Sequence, residues 1–212
     1  MKILFTLLLC LLATLAKAEC PQFYPHGQKI EIAGTIELCN SFYGVAYDDV
    51  KNETLISFEK FRPGGGVERT NNFKFDDRLD KATRPTPKDY LHSGFDLGHM
   101  TPAGDATTHE EMSDTFLLSN MSPQEPTLNR KSWRLMEEAV RKLKPNYIVT
   151  GNIYPANPKT IGDHHVPVPT GYFKLVYLGD QVIGYCANNK LEAPVSSCTL
   201  DEIEQASGLK LH

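Results

Sequence analysis

The stretch "GFDLGHMTPAGD", residues 94–105, sets one histidine, His99, in a bend of small residues with Asp96 before it and Asp105 after it. It lies inside residues 70–120, which have only weak hydrophobic periodicity. A long segment without regular pattern inside a compact domain is more often a functional loop than a structural one. The fold therefore has to be read from what flanks it. Short apolar and β-branched runs predict strands at "KIEIAGTIELC" (29–39), "FYGVAYD" (42–48) and "ETLISFEKF" (53–61) before it. "NYIVTGNIY" (146–154), "YFKLVYLG" (172–179) and "QVIGYCAN" (181–188) predict strands after it. Pro and Gly punctuate these runs, as in "RPGGG" and "VPVPTG".

Two helices are expected. The first is "TLNRKSWRLMEEAVRKLK", with Leu128, Trp133, Leu135, Met136, Val140 and Leu143 on one continuous apolar face and Pro145 as its stop. The second is "TLDEIEQASG", capped by Thr199 with Glu202 three residues on and closed by Gly208. Strands before and after one long helix predict an α+β domain with a mostly antiparallel central sheet.

The N-terminus sets the compartment. "MKILFTLLLCLLATLAKA" has Lys2, an apolar run from Ile3 to Leu15, and small residues at Ala16 and Ala18. This is the pattern of a secretory signal peptide cut after Ala18, and the run is short for a membrane span. The expected organisation is a signal peptide over 1–18 and one domain over 19–212. The product is then secreted or periplasmic and makes no membrane contact once the signal is removed. The 194 remaining residues suffice for one domain with a sizeable core. The chain's net charge is −4, and loss of Lys2 and Lys17 takes it to −6. Such a balance excludes a protein that coats nucleic acid through bulk charge, although a local basic groove is compatible with it. Removal of the signal also takes Cys10 and leaves Cys20, Cys39, Cys186 and Cys198. An even count in a secreted chain predicts disulfides. Of the three connectivities, Cys20–Cys39 and Cys186–Cys198 are favoured because each pair is close in sequence. No C-x-x-C spacing supports a structural zinc.

A set of polar residues surrounds His99 in sequence. "LSNMSPQEPTLNRKSWRLMEE" (118–138) holds Asn120, Gln124, Asn129 and Glu137. Asn129 falls near the start of the long helix, and Glu137 is eight residues on, so the two share a broad helical face. An amide oxygen and a carboxylate placed so can hold a hydrated cation, since Mg²⁺ keeps most of its waters and needs few protein oxygens. Taken singly, each residue has an ordinary alternative: an Asn cap, a solvated helical Glu, a surface His. Asn52 and Asn120 also sit in N-x-S/T patterns, which are read as chance matches.

The two stretches together resemble the signature of the DNA/RNA non-specific endonucleases, the ββα-metal nucleases. "VERTNNFKFDDRL" (67–79) is similar to that family's upstream arginine segment, "VTGNIY" (149–154) and "VPVPTGYFKLVY" (166–177) to core strands, and "TLDEIEQASGL" (199–209) to its last helix. The resemblance covers most of residues 40–210, in order. It implies a ββα catalytic unit whose helix carries the metal ligand, with His99 as general base and Asn129 as the direct protein ligand of Mg²⁺, for which Mn²⁺ can substitute. By the same resemblance Glu137 holds metal-bound water, Arg69 stabilises charge on the phosphate, and Asn120 organises the site. DNA and RNA are the implied substrates, hydrolysed to 5′-phosphate ends without strong sequence or sugar preference. A homodimer and an inhibitor protein are left open as partners. One departure stands out: the family pattern Asp-Arg-Gly-His here has Leu97 in second place, which removes a fixed charge and a bidentate phosphate contact. Arg130, Lys131 and Arg134 are candidate substrate-binding replacements. Leu97 is also the one support for an alternative, a catalytically weakened member that only binds nucleic acid or protein.

Overall fold

The computed structural model describes residues 19–63 and 65–212. The predicted signal peptide over 1–18 lies outside them. Among the described residues there are eleven strands, in chain order β1 (Ile36–Cys39), β2 (Tyr43–Asp48), β3 (Glu53–Lys60), β4 (Asp96–His99), β5 (Met121–Gln124), β6 (Tyr147–Ile153), β7 (Thr160–Ile161), β8 (Val166–Pro167), β9 (Gly171–Leu178), β10 (Gln181–Asn188) and β11 (Ser196–Cys198). The α-helices are α1 (Pro87–Tyr90), α2 (His109–Thr115), α3 (Arg134–Leu143) and α4 (Leu200–Ser207). Seven strands form one sheet in the order β1-β2-β3-β6-β9-β10-β11, and every pairing in it is antiparallel. This is the expected α+β architecture.

Alternation along β9 shows how the sheet carries two layers. Tyr172 and Val176 pack with Leu128, Trp133, Met136 and Val140 on one face. Phe173, Leu175 and Tyr177 pack with Tyr24, Phe58 and Ile203 on the other. A strand buried on both faces reads as an unbroken apolar run, which is why "YFKLVY" is legible in sequence. Gly151, beside Phe173 in the ladder, has no side chain because the Phe173 ring fills the space: a Cβ there would stand 2.0 Å from the ring.

The predicted strands agree with the structure except at the first, where only Ile36–Cys39 of residues 29–39 is extended in the ladder. α4 has the expected cap, with Thr199 and Glu202 satisfying each other's backbone N–H groups and Gly208 at φ 72° closing it. The long helix departs from expectation. Residues Leu128–Trp133 are wound as a π-helix that passes into α3. Leu135 and Leu143, placed on the apolar face from the sequence, are 54% and 44% exposed. Met136 and Val140 hold the buried face of α3; Leu135 stands about 100° round the helix from Met136, and Leu143 is the helix's last residue.

Both expected disulfides are present, Cys20–Cys39 and Cys186–Cys198. The first joins the N-terminal segment to β1, and the second joins β10 to β11. Among the described residues the one group of His, Cys, Asp or Glu close enough to ligate an ion is Cys20, Glu37 and Cys39. Its sulfurs are consumed by the disulfide. Among the described residues no helix is long and apolar enough to cross a membrane.

Residues 61–146 leave the sheet after β3 and return at β6. This excursion carries β4, β5, α1, α2 and α3. It obeys no single period because it is a string of short pieces pinned by side chains.

Candidate active site

β4 and β5 form a separate antiparallel pair, with Asp96 opposite Gln124 and His99 opposite Met121. The π-helix and α3 follow directly, so two strands and a helix bring residues 96–99 and 129–141 together. Gly98 is required by this pairing: a Cβ there would lie 2.4 Å from Gln124 Oε1. Leu97 and His99 then share one face of β4. They line a cleft of 440 Å³ together with Arg69, Asn129, Arg130, Arg134, Glu137 and Arg141. A larger groove of 760 Å³ runs past Lys51, Glu53, Asn152 and Tyr154 elsewhere. It contains none of the residues singled out from the sequence, so chemistry rather than size identifies the site.

His99 is half-buried. Its ring meets the Phe116 ring edge-on at 4.9 Å and lies 5.9 Å from Phe73, and its Nε2 is buried without a hydrogen-bond partner. Burial, and the neighbouring Arg69 guanidinium, lower its pKa to about 3. The imidazole is therefore neutral at ordinary pH and has a lone pair available for a proton. Arg69 is held from the side: its Nε donates to Asn71 Oδ1 at 2.7 Å, and its guanidinium carbon lies 5.0 Å over the Phe116 ring.

Asn129 is not a helix cap. Glu125 does that work, accepting from Thr127 Oγ1 at 2.5 Å and from the Leu128 N–H at 2.8 Å. The Asn129 amide nitrogen instead donates to Asp96 Oδ2 at 2.9 Å. Fixing the nitrogen fixes the oxygen, so Oδ1 is left as an oriented acceptor. Asp96 also takes the fork of Arg130, at 2.7 Å to Nε and 2.5 Å to Nη2. Asp96 thus sets the orientation of two cleft residues. Its place beside His99 is visible in the sequence, but its partners, 33 and 34 residues away, are not.

Glu137 presents an Oε1 that is buried and unpartnered, 3.7 Å from Lys174 Nζ. Burial raises its pKa to about 7, against the lowering influence of Lys174. An oriented amide oxygen and the Glu137 carboxylate on one cleft wall are the kind of oxygen donors a hard cation takes. The residues present fit such an ion.

Other expected residues fall differently. Asn120 is fully buried behind the site: its Oδ1 accepts from the Thr101 N–H, and its Nδ2 donates to the Thr101 and Thr115 carbonyls, each at 2.9 Å. It organises the loop that follows His99 without facing the cleft. Lys131 is exposed and does not line the cleft. Arg130 and Arg134 do line it, but both are already paired, Arg134 with Glu138 on the next turn. Arg141, not foreseen, lines the cleft and donates to Asp105 at 3.1 Å. Neither N-x-S/T asparagine has a free amide. Asn52 Nδ2 donates to the Thr83 and His164 carbonyls, and Asn120 is spent as described.

Residues 22–212 match the family model described as DNA/RNA non-specific endonuclease. The chain is 34% identical to human mitochondrial endonuclease G over 199 residues, covering 79% of this chain and 66% of that protein. It is 34% identical to Nuclease C1 of Cunninghamella echinulata over 180 residues, covering 73% and 71%. A chain in the crystal structure of the EndoG/EndoGI complex superposes with a TM-score of 0.74 at 26% identity, covering 82% of this chain and 84% of that one. The π-wound helix, the β4–β5 pair and the cleft they form accordingly belong to a member of the DNA/RNA non-specific endonuclease family.

Proposed function

We propose that the protein is a secreted or periplasmic, Mg²⁺-dependent endonuclease that hydrolyses phosphodiester bonds of DNA and RNA and leaves 5′-phosphate ends. The observation that carries this reading is the convergence of a neutral imidazole, an oriented amide oxygen, a carboxylate and an arginine on one cleft. Asn129, with Glu137 acting through water, would hold the ion. A bound divalent cation supplies positive charge against the phosphate and the departing oxygen.

The chain's own residues do the rest. His99 accepts the proton of the attacking water. The approach of a phosphodiester anion raises the basicity of the imidazole and offsets the lowering by Arg69. Arg69, restrained by Asn71 and Phe116, faces the cleft with a charge that neutralises the non-bridging oxygens. Water is the nucleophile, so no 2′-hydroxyl is needed, and both DNA and RNA are expected substrates. Two disulfides accord with an oxidising compartment. The relatives include proteins named as mitochondrial, and the N-terminal pattern is what favours export here.

A plasmid-nicking gel with Mg²⁺ and with EDTA tests the reading, with His99→Ala alongside. The wild type should nick only with the ion, and His99→Ala should lose about 10²–10⁴-fold in rate with an unchanged melting curve. Wild-type nicking by His99→Ala, or none by the wild type in Mg²⁺ or Mn²⁺, refutes it.

A further inference from the structure

Beneath the cleft lies a charged cluster that the scheme above does not use. Lys174 stands at the middle of β9, its side chain 1% exposed. Lysine is almost never so buried unless paired. Register explains the site: Ser57, Thr150 and Lys174 are consecutive partners across β3, β6 and β9. They make a polar row through the sheet face under α3, flanked on β9 by Tyr172 and Val176. The Lys174 Nζ donates to Thr150 Oγ1 at 2.5 Å and stands 5.7 Å from the Trp133 ring centroid. Above it is Glu137 Oε1, at 3.7 Å. Near enough to feel its charge are Asp105, tied to Arg141, and the buried Glu59, whose carboxyl lies against that of Asp105. A well-packed apolar side chain at position 174 would serve the fold as well or better, because buried ion pairs are weak stabilisers. The row ends where the helix delivers Glu137 to the cleft floor.

We propose that Lys174 is a positioning residue that grips Glu137 from below and fixes its carboxylate at the cleft floor, where the cation and phosphate are held. Thr150 anchors the ammonium to the sheet, so the reference frame for Glu137 is the rigid seven-stranded sheet rather than α3 alone. The ion reads this geometry through Glu137, and supporting contacts of this kind typically change metal affinity about 10–100-fold. This rests on the endonuclease reading for the identity of the bound ion.

The test is a double-mutant cycle of Lys174→Met and Glu137→Gln, read by Mn²⁺ titration without substrate and by kcat and KM on polynucleotide. Lys174→Met should weaken Mn²⁺ binding about tenfold and lower kcat while leaving KM little changed. In the Glu137→Gln background it should produce no further loss, because its effect passes through Glu137. Equal losses in both backgrounds would assign Lys174 a structural role and overturn the proposal, as would wild-type Mn²⁺ affinity in Lys174→Met. Should Lys174→Met not fold, Thr150→Val removes the anchor alone and should weaken Mn²⁺ binding in the same direction by a few-fold; unchanged affinity overturns the proposal. A wild type that binds no Mn²⁺ and nicks no plasmid overturns the endonuclease reading and this proposal together. A wild type that nicks while Lys174→Met behaves identically overturns this proposal alone.

Discussion

Leu97→Arg restores the family's usual pattern, and the structure says what it should do. Leu97 faces the cleft on the same side of β4 as His99 and also packs against the cluster of Tyr90, Leu118, Met121 and Val166. An arginine can meet both demands in part. Its methylene stem lies over the apolar patch while the guanidinium extends into the cleft. The loss of close packing should cost about 1 kcal/mol, or about 2–4 °C in Tm for a domain of this size. The gain is one phosphate contact, worth about 1 kcal/mol once discounted for exposure. It should steepen the salt dependence of log K by about 0.7–0.9. Between about 50 and 200 mM salt, that slope alone changes the affinity advantage by about threefold. The new charge is not quenched by Asp96, which belongs to the opposite face of the strand and already holds Asn129 and Arg130. The assay is steady-state kinetics on polynucleotide at two salt concentrations, with a melting curve. KM falls if the contact is equal in ground and transition states, and kcat rises if it strengthens as charge develops. A folded Leu97→Arg protein with unchanged KM, kcat and salt slope would refute the placement of position 97 beside the substrate.

Three further outcomes are expected. Asp96→Asn keeps the volume but cannot accept from Asn129 and the Arg130 fork together, so Mn²⁺ affinity in a direct titration should fall about tenfold; wild-type affinity would show that Asn129 is oriented by something else. Replacing Cys186 and Cys198 by serine opens a loop of sequence separation 12, which should cost about 3 kcal/mol and lower Tm by about 6–12 °C, while non-reducing peptide mapping of the wild type should recover both intact bridges. Burial alone would raise the Asp76 carboxyl, but hydrogen bonds from Arg78 and Ser119 outweigh it and hold it below its ordinary value. Its contribution to stability is therefore full above about pH 4 and is lost as pH falls through the depressed native value, and Asp76→Asn should flatten that acid limb in a series of melts.

How much was legible follows from the range of the interactions. Six of the seven sheet strands and α4 are readable because each is specified by its own residues, an apolar run for β9, a capping box and Gly208 for α4, whereas the three residues of β11 carry no pattern of their own. The disulfides were readable because each pair is local in sequence. The short elements of residues 61–146 were not. β4 has four residues and no alternation of its own, and it exists because Met121–Gln124 pairs with it. The π-wound turn could not be told from an α-helix, since Glu125 as its cap and Asp96 as the tether of Asn129 show only when the chain is folded. The sequence puts Asn120 among the polar residues near His99 and the resemblance gives it a role, but its position behind the cleft is a tertiary fact. Lys174 lies within the run "YFKLVYLG" and reads there as one polar residue among apolar ones. Only strand register shows that it points at Glu137.

The same geometry reconciles an acidic chain with the polyanionic substrate proposed for it. Around the cleft, Arg130 is paired with Asp96, Arg134 with Glu138 and Arg141 with Asp105. Three of its arginines are thus neutralised locally by acids that contribute to the net −4. These pairs are unequal. Arg134–Glu138 is solvent-exposed and of little strength, so a phosphate can displace Glu138 at small cost. Arg141–Asp105 has a buried carboxylate, and breaking it would strand that charge, so Arg141 is better suited to shape the cleft than to leave its partner. Asp96 Oδ2 accepts from both Arg130 Nε and Asn129 Nδ2, so a phosphate that drew Arg130 away would leave that oxygen to Asn129. The cleft's freely available cation is Arg69, whose side-chain partner is the neutral amide of Asn71. A net-charge count misses this: the affinity for phosphate is set by which acids let go.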